Sequence, residues 1–371
     1  MKKITVTSPL LPPLEELTPY LEDIWQRKWL TNNGYYHQQL EAALCEYLGV
    51  PYISLFSNGT LALITALQAL DLEGEVITTP YSFVATSHAI KWNNLTPVFV
   101  DIDPATFNLD PSKIEAAITD KTCAILPVHV YGNPCDHDAI QAIADKHDLK
   151  VIYDAAHAFG VKKNGESILN MGELSILSFH ATKAYSTIEG GAVVCHSQEM
   201  KDKLDRLKNF GFESEIEVSL CGMNAKLNEV QAAFGLVTLK HIDTALIKRK
   251  QVANFYYEKL STIKGLKCFH PAADVELNYS YFPILIDEDK LGISRNDLFD
   301  ALKKNDILAR RYFYPLITNF KEYREFQREF PFSEKISNSV ICLPIHNDLT
   351  KLDFVMRMLL SKLDVKEVTE L

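Results

Sequence analysis

Short apolar runs alternate with amphipathic stretches along the N-terminal part of the chain. The runs have the length and the β-branched content of strands buried inside a sheet. Between them, residues 61–70 and 138–147 place apolar side chains at helical spacing. The predicted strands are residues 52–55, 76–79, 97–101, 123–130, 150–154, 174–179 and 191–196. This alternation predicts the α/β class, with a mostly parallel seven-stranded sheet covered by helices.

The pattern changes after residue 224, where apolar positions as far as residue 260 follow one long amphipathic helix. The later elements are a strand over 281–286, a helix over 295–304, a short strand near 310–314 and a final helix over 351–363. This order predicts a smaller α+β domain. We therefore expect a large domain over residues 1–240 and a small domain over 241–371, with the long helix as their joint.

Three polar segments follow predicted strands at the points where those strands end. Asp154 ends the strand over 150–154, the turn Ser57-Asn58-Gly59-Thr60 follows the strand over 52–55, and Ser178 lies near the end of a third strand. In sheets of this class, ligands bind at the carboxyl ends of the strands. The three segments are therefore expected to converge on one edge of the sheet.

Composition narrows the class of protein. The 371 residues are 47% hydrophobic, which is enough for a large core. A formal net charge of -10 provides no general basic surface for a nucleic-acid backbone, so no such partner is expected. The seven cysteines lack the paired spacing of zinc sites, and no metal is expected. Without a signal-like N-terminus or an apolar stretch of membrane-spanning length, the pattern predicts a cytoplasmic protein with reduced thiols and no membrane partner.

Lys183 and Asp154 together suggest a particular cofactor. A lysine amine attacks an aldehyde only in its neutral form, so it needs a fixed position and a route to losing its proton. Pyridoxal phosphate requires such a lysine, and it requires an aspartate that keeps its pyridine nitrogen protonated. The turn at Ser57 to Thr60 opens a predicted helix, whose first N–H groups could bind the phosphate. The same turn could instead be only a helix cap.

Several motifs together resemble the DegT/DnrJ/EryC1/StrS sugar aminotransferases. The motifs are Ser57-Asn58-Gly59-Thr60, Tyr153-Asp154-Ala155-Ala156-His157-Ala158, Ser178-Phe179-His180-Ala181-Thr182-Lys183, Glu189-Gly190-Gly191 and Met223-Asn224-Ala225-Lys226-Leu227-Asn228-Glu229-Val230-Gln231-Ala232-Ala233. The similarity extends over almost the whole chain, from residues 32–34 to residues 342–346. It implies the type I fold of pyridoxal-phosphate-dependent aminotransferases.

The resemblance also implies a role for each cofactor-binding position. Lys183 would hold the cofactor's aldehyde, and Asp154 would pair with its pyridine nitrogen. His157 would lie near the 3′-oxygen of the ring, and Phe83 would stack on its face. The residues that would bind the phosphate are Gly59, Thr60, Ser178 and Asn224 of the partner subunit. A homodimer with shared active sites follows from that last contact.

Other roles stay open for some of these side chains. Asp154 could cap a turn at a strand end, Phe83 could belong to the hydrophobic core, and His157 could be a structural histidine.

The substrate needs further groups, because a nucleotide diphosphate is anionic and a hexose presents hydroxyls. The candidates are Lys28, Asn33, His180, Glu189, Arg310 and Arg311. Guanidinium and ammonium groups neutralise phosphate oxygens, whereas His180 and Glu189 could hydrogen-bond to sugar hydroxyls. The cations could also be solvated surface charges. His180 and Glu189 could instead support the loop that carries Lys183.

The segment Glu189-Gly190-Gly191 resembles family members that aminate C-4 of a nucleotide-linked 4-keto-6-deoxyhexose. We therefore expect L-glutamate and dTDP-4-dehydro-6-deoxy-D-glucose as substrates, and dTDP-4-amino-4,6-dideoxy-D-glucose and 2-oxoglutarate as products, with ping-pong kinetics. Surface-glycan synthesis is the usual setting for such sugars. The alternative acceptors are other nucleotide ketosugars aminated at C-3 or C-4, including the perosamine type.

Two rival functions belong to other classes of protein. A pyridoxal-phosphate-dependent sugar dehydratase is disfavoured, because members of the family with that activity replace the lysine with histidine. A binding protein without catalytic activity predicts a damaged site, but Lys183 and Asp154 are both present.

Overall fold

The computed structural model describes residues 3–346 and 350–363, so the outermost residues of the two predicted domains lie outside the described residues. The α-helices are α1 (Leu14–Arg27), α2 (Tyr35–Leu48), α3 (Gly59–Ala69), α4 (Val84–Trp92), α5 (His137–His147), α6 (Gln198–Leu207), α7 (Glu229–Leu239), α8 (Ile242–Leu260), α9 (Glu288–Leu291), α10 (Arg295–Lys304), α11 (Pro331–Ser339) and α12 (Leu352–Lys362). Within these described ranges, no helix has both the length and the apolar character needed to cross a membrane.

The strands form one large sheet and several small ones. They are β1 (Ile4–Thr5), β2 (Tyr52–Phe56), β3 (Glu75–Thr78), β4 (Thr96–Phe99), β5 (Thr122–Ile125), β6 (Lys150–Asp154), β7 (Lys162–Lys163), β8 (Glu166–Ser167), β9 (Leu174–Ser178), β10 (Gly191–Cys195), β11 (Phe212–Ser214), β12 (Glu217–Val218), β13 (Leu266–Cys268), β14 (Val275–Glu276), β15 (Phe282–Ile286), β16 (Ile307–Leu308) and β17 (Val340–Leu343). The large sheet has seven strands in the order β2-β10-β9-β6-β5-β3-β4.

The large sheet is mostly parallel, as predicted. Strands β4, β3, β5, β6 and β9 pair in parallel along it, whereas β10 pairs antiparallel with both β9 and β2. Strand β5 ends at Ile125 rather than at residue 130, and residues 130–132 form a 3-10 turn. The prediction of an α/β class with a seven-stranded sheet is confirmed.

Both faces of this sheet are covered. Along β10, Ala192 and Val194 belong to one hydrophobic cluster, which includes residues of α2 and α7, whereas Val193 and Cys195 belong to another cluster with α3. Successive side chains of a strand point to opposite faces, so a strand buried on both faces is apolar throughout. This burial explains the continuous apolar runs in the sequence.

The predicted single helix over 224–260 is wrong. Asn228 is the N-cap of α7, where its side chain accepts a hydrogen bond from the Gln231 N–H at 3.0 Å. Helix α7 contacts α1 and α2, whereas α8 adds Val252 and Tyr256 to a separate hydrophobic cluster near the C-terminal sheet. The first turn of α8, with Ile242 and Ala245, still belongs to the cluster of α7, so α8 connects the two clusters. No glycine or proline marks the break between Leu239 and Ile242.

The C-terminal part has its own antiparallel sheet, β13-β15-β17. The predicted strand near 310–314 is wrong, because the strand here is β16 (Ile307–Leu308). Beyond it, Arg310 forms an isolated bridge with Cys342, and the Tyr314 N–H closes a turn onto the Arg311 carbonyl at 2.8 Å. Strand β1 pairs in parallel with β16, so the N-terminal strand joins this part of the protein. The domain division at residue 240 stays a prediction.

Asp101 links the large sheet to helix α11. It follows β4, is 6% exposed, and accepts hydrogen bonds from the N–H groups of Phe332 at 3.0 Å and Ser333 at 2.8 Å. These donors lie in the first turn of α11, where N–H groups have no partner within the helix. Burial opposes ionisation of Asp101, but its hydrogen bonds to Ser333 and Phe332 outweigh burial and hold the pKa of the carboxyl below its ordinary value.

Replacing Asp101 with alanine is expected to lower the free energy of unfolding at neutral pH by about 2–3 kcal/mol, because buried donors at Phe332 and Ser333 lose their acceptor. The lowered pKa means that this contribution is present above the ordinary pKa of aspartate and is lost as the pH falls through the folded-state value. Urea unfolding at pH 7 and in acid measures both effects. Asp101→Asn keeps one acceptor oxygen and should lose less. Equal stability of wild type and Asp101→Ala at pH 7 would contradict this role.

Candidate active site

A cavity of about 350 Å³ lies at the carboxyl edge of the large sheet. It is bounded by the turns after β2, β6 and β9, so the three polar segments converge as the sequence predicts. Residues of the C-terminal part, Tyr281, Arg310, Tyr312 and Phe313, close its other side. The site therefore lies between the large sheet and the C-terminal elements.

Lys183 lines this cavity on the loop between β9 and β10, where its N–H bonds to the His180 carbonyl at 2.9 Å. Desolvation within the site lowers the pKa of Lys183 to about 8, although the nearby Asp154 carboxylate opposes this shift. About half of such amines are neutral at pH 8, compared with less than about one in a hundred for an ordinary lysine. The site therefore holds an amine that is ready to act as a nucleophile or a base.

Asp154, at the end of β6, is held in place by two neighbours. Its Oδ2 accepts a hydrogen bond from Thr86 Oγ1 at 2.8 Å, and its Oδ1 accepts one from the Ala156 N–H at 3.1 Å. Burial raises the pKa of this carboxyl, and the hydrogen bonds and Lys183 offset part of the increase. A cationic ligand near the carboxylate would favour its ionised form.

His157 also lines the cavity and has a fixed tautomer. Its Nδ1 accepts a hydrogen bond from the Tyr131 N–H at 3.2 Å, so in the neutral ring the proton is on Nε2. The ring stacks on Phe313, with centroids 5.9 Å apart and planes 4° from parallel. Burial and the Lys183 cation hold the pKa of His157 well below its ordinary value. A neutral imidazole here can donate one hydrogen bond from Nε2.

The turn after β2 leads into the N-terminus of α3, a helix end of the kind that can bind anions. The Asn58 side chain caps the helix by accepting from the Leu61 N–H at 2.9 Å, which leaves the N–H groups of Gly59 and Thr60 at the cavity wall. A Cβ on Gly59 would lie 2.9 Å from the Ser178 Cβ, and a Cβ on Gly191 would lie 2.6 Å from the Gly59 nitrogen. Both glycines are therefore required for the close approach of β2, β9 and β10.

Phe83 precedes α4 and lines the cavity with 58% of its surface exposed. Because so much of its surface is exposed, the ring is not a core side chain. An aromatic ring at a cavity wall can pack against a flat ligand.

His180 and Glu189 lie together at the cavity, with His180 Nε2 3.5 Å from Glu189 Oε1. Their side chains are 45% and 53% exposed, so this contact itself contributes little to stability. Both groups are accessible to a ligand that enters the site.

Of the predicted substrate residues, Arg310 lines this cavity and Arg311 does not. The Arg311 guanidinium lies 4.4 Å from the ring centroid of Phe299 and bonds to Asn296 Oδ1 at 3.0 Å. Asn33 lines a separate cavity of about 240 Å³. Lys28 is exposed at the end of α1 and is not part of the wall of the first cavity.

Asn224 is likewise absent from the wall of the cavity in its own chain and forms an isolated bridge with Asn209. This position is compatible with the predicted contact to the site of a partner subunit. That contact stays a prediction.

Sequence reasoning missed two residues that shape this site. Thr86, in the first turn of α4, donates a hydrogen bond to Asp154. The ring of Tyr281 lies 5.8 Å from Lys183 Nζ. Thr86 lies three residues after Phe83, so a helix beginning at residue 84 could have indicated that both residues face the site. Tyr281 immediately precedes β15 of the C-terminal part, and no local pattern marks it.

Comparisons with known proteins agree with this geometry. The model of the DegT/DnrJ/EryC1/StrS aminotransferase family matches residues 14–359. The dTDP-4-amino-4,6-dideoxy-D-glucose transaminase of Shigella dysenteriae is 57% identical over 94% of this chain and 95% of its own. Among solved structures, DesI in the presence of its TDP-sugar product has a TM-score of 0.93 and 33% identity, covering 98% of this chain and 93% of its own.

NtdA from Bacillus subtilis with its bound cofactor PMP has a TM-score of 0.87 and 29% identity, covering 95% of this chain and 82% of its own. The family model and these similarities extend over both parts of the fold and over the whole cavity. The chain belongs to the DegT/DnrJ/EryC1/StrS aminotransferase family.

Proposed function

We propose that this aminotransferase uses pyridoxal phosphate to move the amino group of L-glutamate to C-4 of dTDP-4-dehydro-6-deoxy-D-glucose. The products are dTDP-4-amino-4,6-dideoxy-D-glucose and 2-oxoglutarate. The observation that carries this proposal is the Lys183 amine, with a pKa of about 8, in one cavity with Asp154 and an anion-binding helix end. The acceptor is supported by the 57% identity to the Shigella enzyme with that name.

The residues of the cavity fit pyridoxal phosphate. Lys183 matches its aldehyde, Asp154 its ring nitrogen, and the N–H groups of Gly59 and Thr60 its phosphate. The exposed ring of Phe83 offers a flat surface for stacking. When bound, this cofactor supplies an aldehyde for the amino group and a ring that stabilises negative charge at the reacting carbon.

The chain itself supplies a base and its electrostatic surroundings. The Lys183 Nζ removes the α-proton of glutamate, and in the second half-reaction it returns a proton to C-4 of the sugar. Its pKa of about 8 suits both directions of transfer near neutral pH. Asp154 is fixed by Thr86 and Ala156, so its carboxylate can hold a cationic group without reorganising. Two half-reactions in one site, with 2-oxoglutarate released before the ketosugar binds, predict ping-pong kinetics.

We also infer a homodimer, in which Asn224 of the partner subunit reaches the phosphate. Support comes from the apolar side chains that are exposed next to Asn224 in sequence, namely Phe210, Phe212, Ile216 and Val218. Surfaces of this kind mark protein–protein contacts. Sedimentation equilibrium tests the inference, and a monomer at micromolar concentration would refute it.

The proposed reaction is tested by incubating the purified holoenzyme with dTDP-4-dehydro-6-deoxy-D-glucose and ¹⁵N-labelled L-glutamate. NMR of the product should show nitrogen on C-4 with the amine equatorial, and 2-oxoglutarate should form in equal amount. An axial C-4 amine or a C-3 amine would refute the proposed product but keep the transaminase. Loss of a sugar hydroxyl without incorporation of nitrogen would indicate a dehydratase instead.

A further inference from the structure

The backbone that carries Glu189 is strained. Ile188, the residue before it, has a φ of 72°. β-Branched residues rarely adopt this left-handed region, and such conformations persist only where surrounding contacts enforce them. Ile188 is 48% exposed, so packing of its own side chain does not account for the conformation. Other contacts must hold the turn that leads into β10.

Backbone hydrogen bonds from the Thr187 N–H to the Phe179 carbonyl at 3.0 Å and from the Phe179 N–H to the Gly190 carbonyl at 2.8 Å flank this turn, and two side chains bind a carbonyl within it. The Glu189 carbonyl accepts from Thr187 Oγ1 at 2.7 Å and from Gln231 Nε2 at 2.6 Å. The Thr187 bond is local to the turn, whereas Gln231 lies on α7, which is packed in the large domain core. Gln231 therefore ties the turn to a fixed element of the fold.

The Gln231 amide can point in only one direction. Its Oε1 accepts from the Asn228 backbone N–H at 3.4 Å, which is the capping-box bond of α7, and from Asn228 Nδ2 at 2.8 Å, so its NH₂ group is directed toward the Glu189 carbonyl. The side chain thus performs two separable tasks. Its oxygen caps the helix, and its nitrogen fixes the position of Glu189.

The Glu189 carboxylate also has a side-chain neighbour in the cavity, His180. The Thr182 N–H donates to His180 Nδ1 at 3.2 Å, so the neutral ring carries its proton on Nε2, which lies 3.5 Å from Glu189 Oε1. This exposed pair is too weak to place the carboxylate by itself. The position of Glu189 in the site depends mainly on its backbone.

We propose that Gln231 is a positioning residue for recognition of the acceptor sugar, because it holds the strained turn at Ile188 and thereby presents the Glu189 carboxylate to sugar hydroxyls. This role rests on the proposed function, since it requires a hydroxylated acceptor in the cavity. Glutamate as donor lacks hydroxyl groups, so its half-reaction does not use this contact. Gln231 itself does not line the cavity and acts through Glu189.

The test uses the holoenzymes of Gln231→Glu and Gln231→Met. Glutamate at position 231 keeps the capping oxygen but has no donor for the Glu189 carbonyl, and methionine is a neutral side chain of similar size without that donor. Both variants should raise the KM for dTDP-4-dehydro-6-deoxy-D-glucose by about tenfold, as for the loss of one hydrogen bond to a charged group. The single-turnover rate with glutamate alone should stay within about twofold, since a uniform loss would instead indicate a general defect.

Direct binding provides a second readout. The Kd of dTDP-4-amino-4,6-dideoxy-D-glucose, measured by calorimetry, should rise by about the same factor as the KM. Gln198→Met is the matched control, because it removes a glutamine amide on α6 that donates to Asp202 Oδ1 at 2.7 Å and lies outside the wall of the cavity. Its KM, Kd and glutamate rate should equal those of the wild type.

Each of the following outcomes would overturn the proposal. If only Gln231→Glu raises the KM, the added charge repels the diphosphate and the hydrogen bond has no role. If the thermal midpoint of Gln231→Met falls while KM and Kd stay constant, Gln231 only caps the helix. If the wild type accepts glutamate but neither binds nor converts the dTDP-sugar, the proposed acceptor fails, and the recognition role fails with it.

Discussion

Replacing Lys183 with alanine is expected to lower the rate of amino transfer by about ten-thousandfold or more. The amine is the group in the cavity whose pKa, about 8, allows it to accept and return a proton near neutral pH. His157, which also lines the cavity, cannot replace it, because its pKa is held far below neutrality and its Nδ1 already accepts a bond from Tyr131. Steady-state turnover with glutamate and the ketosugar measures the loss.

Three further measurements separate chemistry from folding. Lys183→Arg keeps a cation beside Asp154 but is protonated at all working pH values, so it should be as inactive as Lys183→Ala. Methylamine, which fits the space left by the deleted side chain, should restore part of the activity of Lys183→Ala and none of Lys183→Arg. Borohydride treatment of the wild-type holoenzyme should attach the cofactor mass to the peptide that contains Lys183. Full turnover by Lys183→Ala would refute its role as the base.

Periodicity was sufficient to predict the large sheet and its functional edge. Strands buried on both faces are continuous apolar runs, and their ends place Asp154, Ser178 and the turn before α3 at one edge by a general rule of parallel sheets. These features depend on local sequence and on a common architecture. They were therefore accessible without tertiary information.

The features that were missed depend on contacts between distant segments. Helix α8 begins in the hydrophobic cluster of α7 and ends in the cluster of the C-terminal part, and no glycine or proline announces the break between α7 and α8. The entry of Tyr281 into the cavity depends on how the C-terminal sheet packs against the large one. Neither follows from the spacing of residues within one element.

The turn at Ile188 is a further example. Its left-handed backbone runs against the preference of a β-branched residue, so local propensity predicts the wrong conformation. One of the contacts that hold it comes from Gln231, 42 residues after Glu189 in the chain. Local rules fail here at a position beside the site, where strained conformations are most often found.

Replacing Asp154 with asparagine is expected to lower turnover by about a hundred- to a thousandfold, as for removal of one preorganised electrostatic group. The substitution preserves size and an oxygen that can accept from Thr86 Oγ1, but it removes the negative charge from the cavity. A cationic ring nitrogen would then lose its partner, and the Kd of pyridoxal phosphate should rise as well. The loss of charge, rather than of volume, is the physical reason for the effect.

Thr86→Val provides the matched control, because it removes the hydrogen bond to Asp154 Oδ2 and leaves the charge in place. Its turnover should fall only about tenfold, near the lower end of the effect of one hydrogen bond to a charged group. Stopped-flow measurement of the glutamate half-reaction, with circular dichroism to verify folding, compares the two variants. If Asp154→Asn is folded and as active as Thr86→Val, the carboxylate only caps the end of β6, and the charge it carries has no part in the reaction.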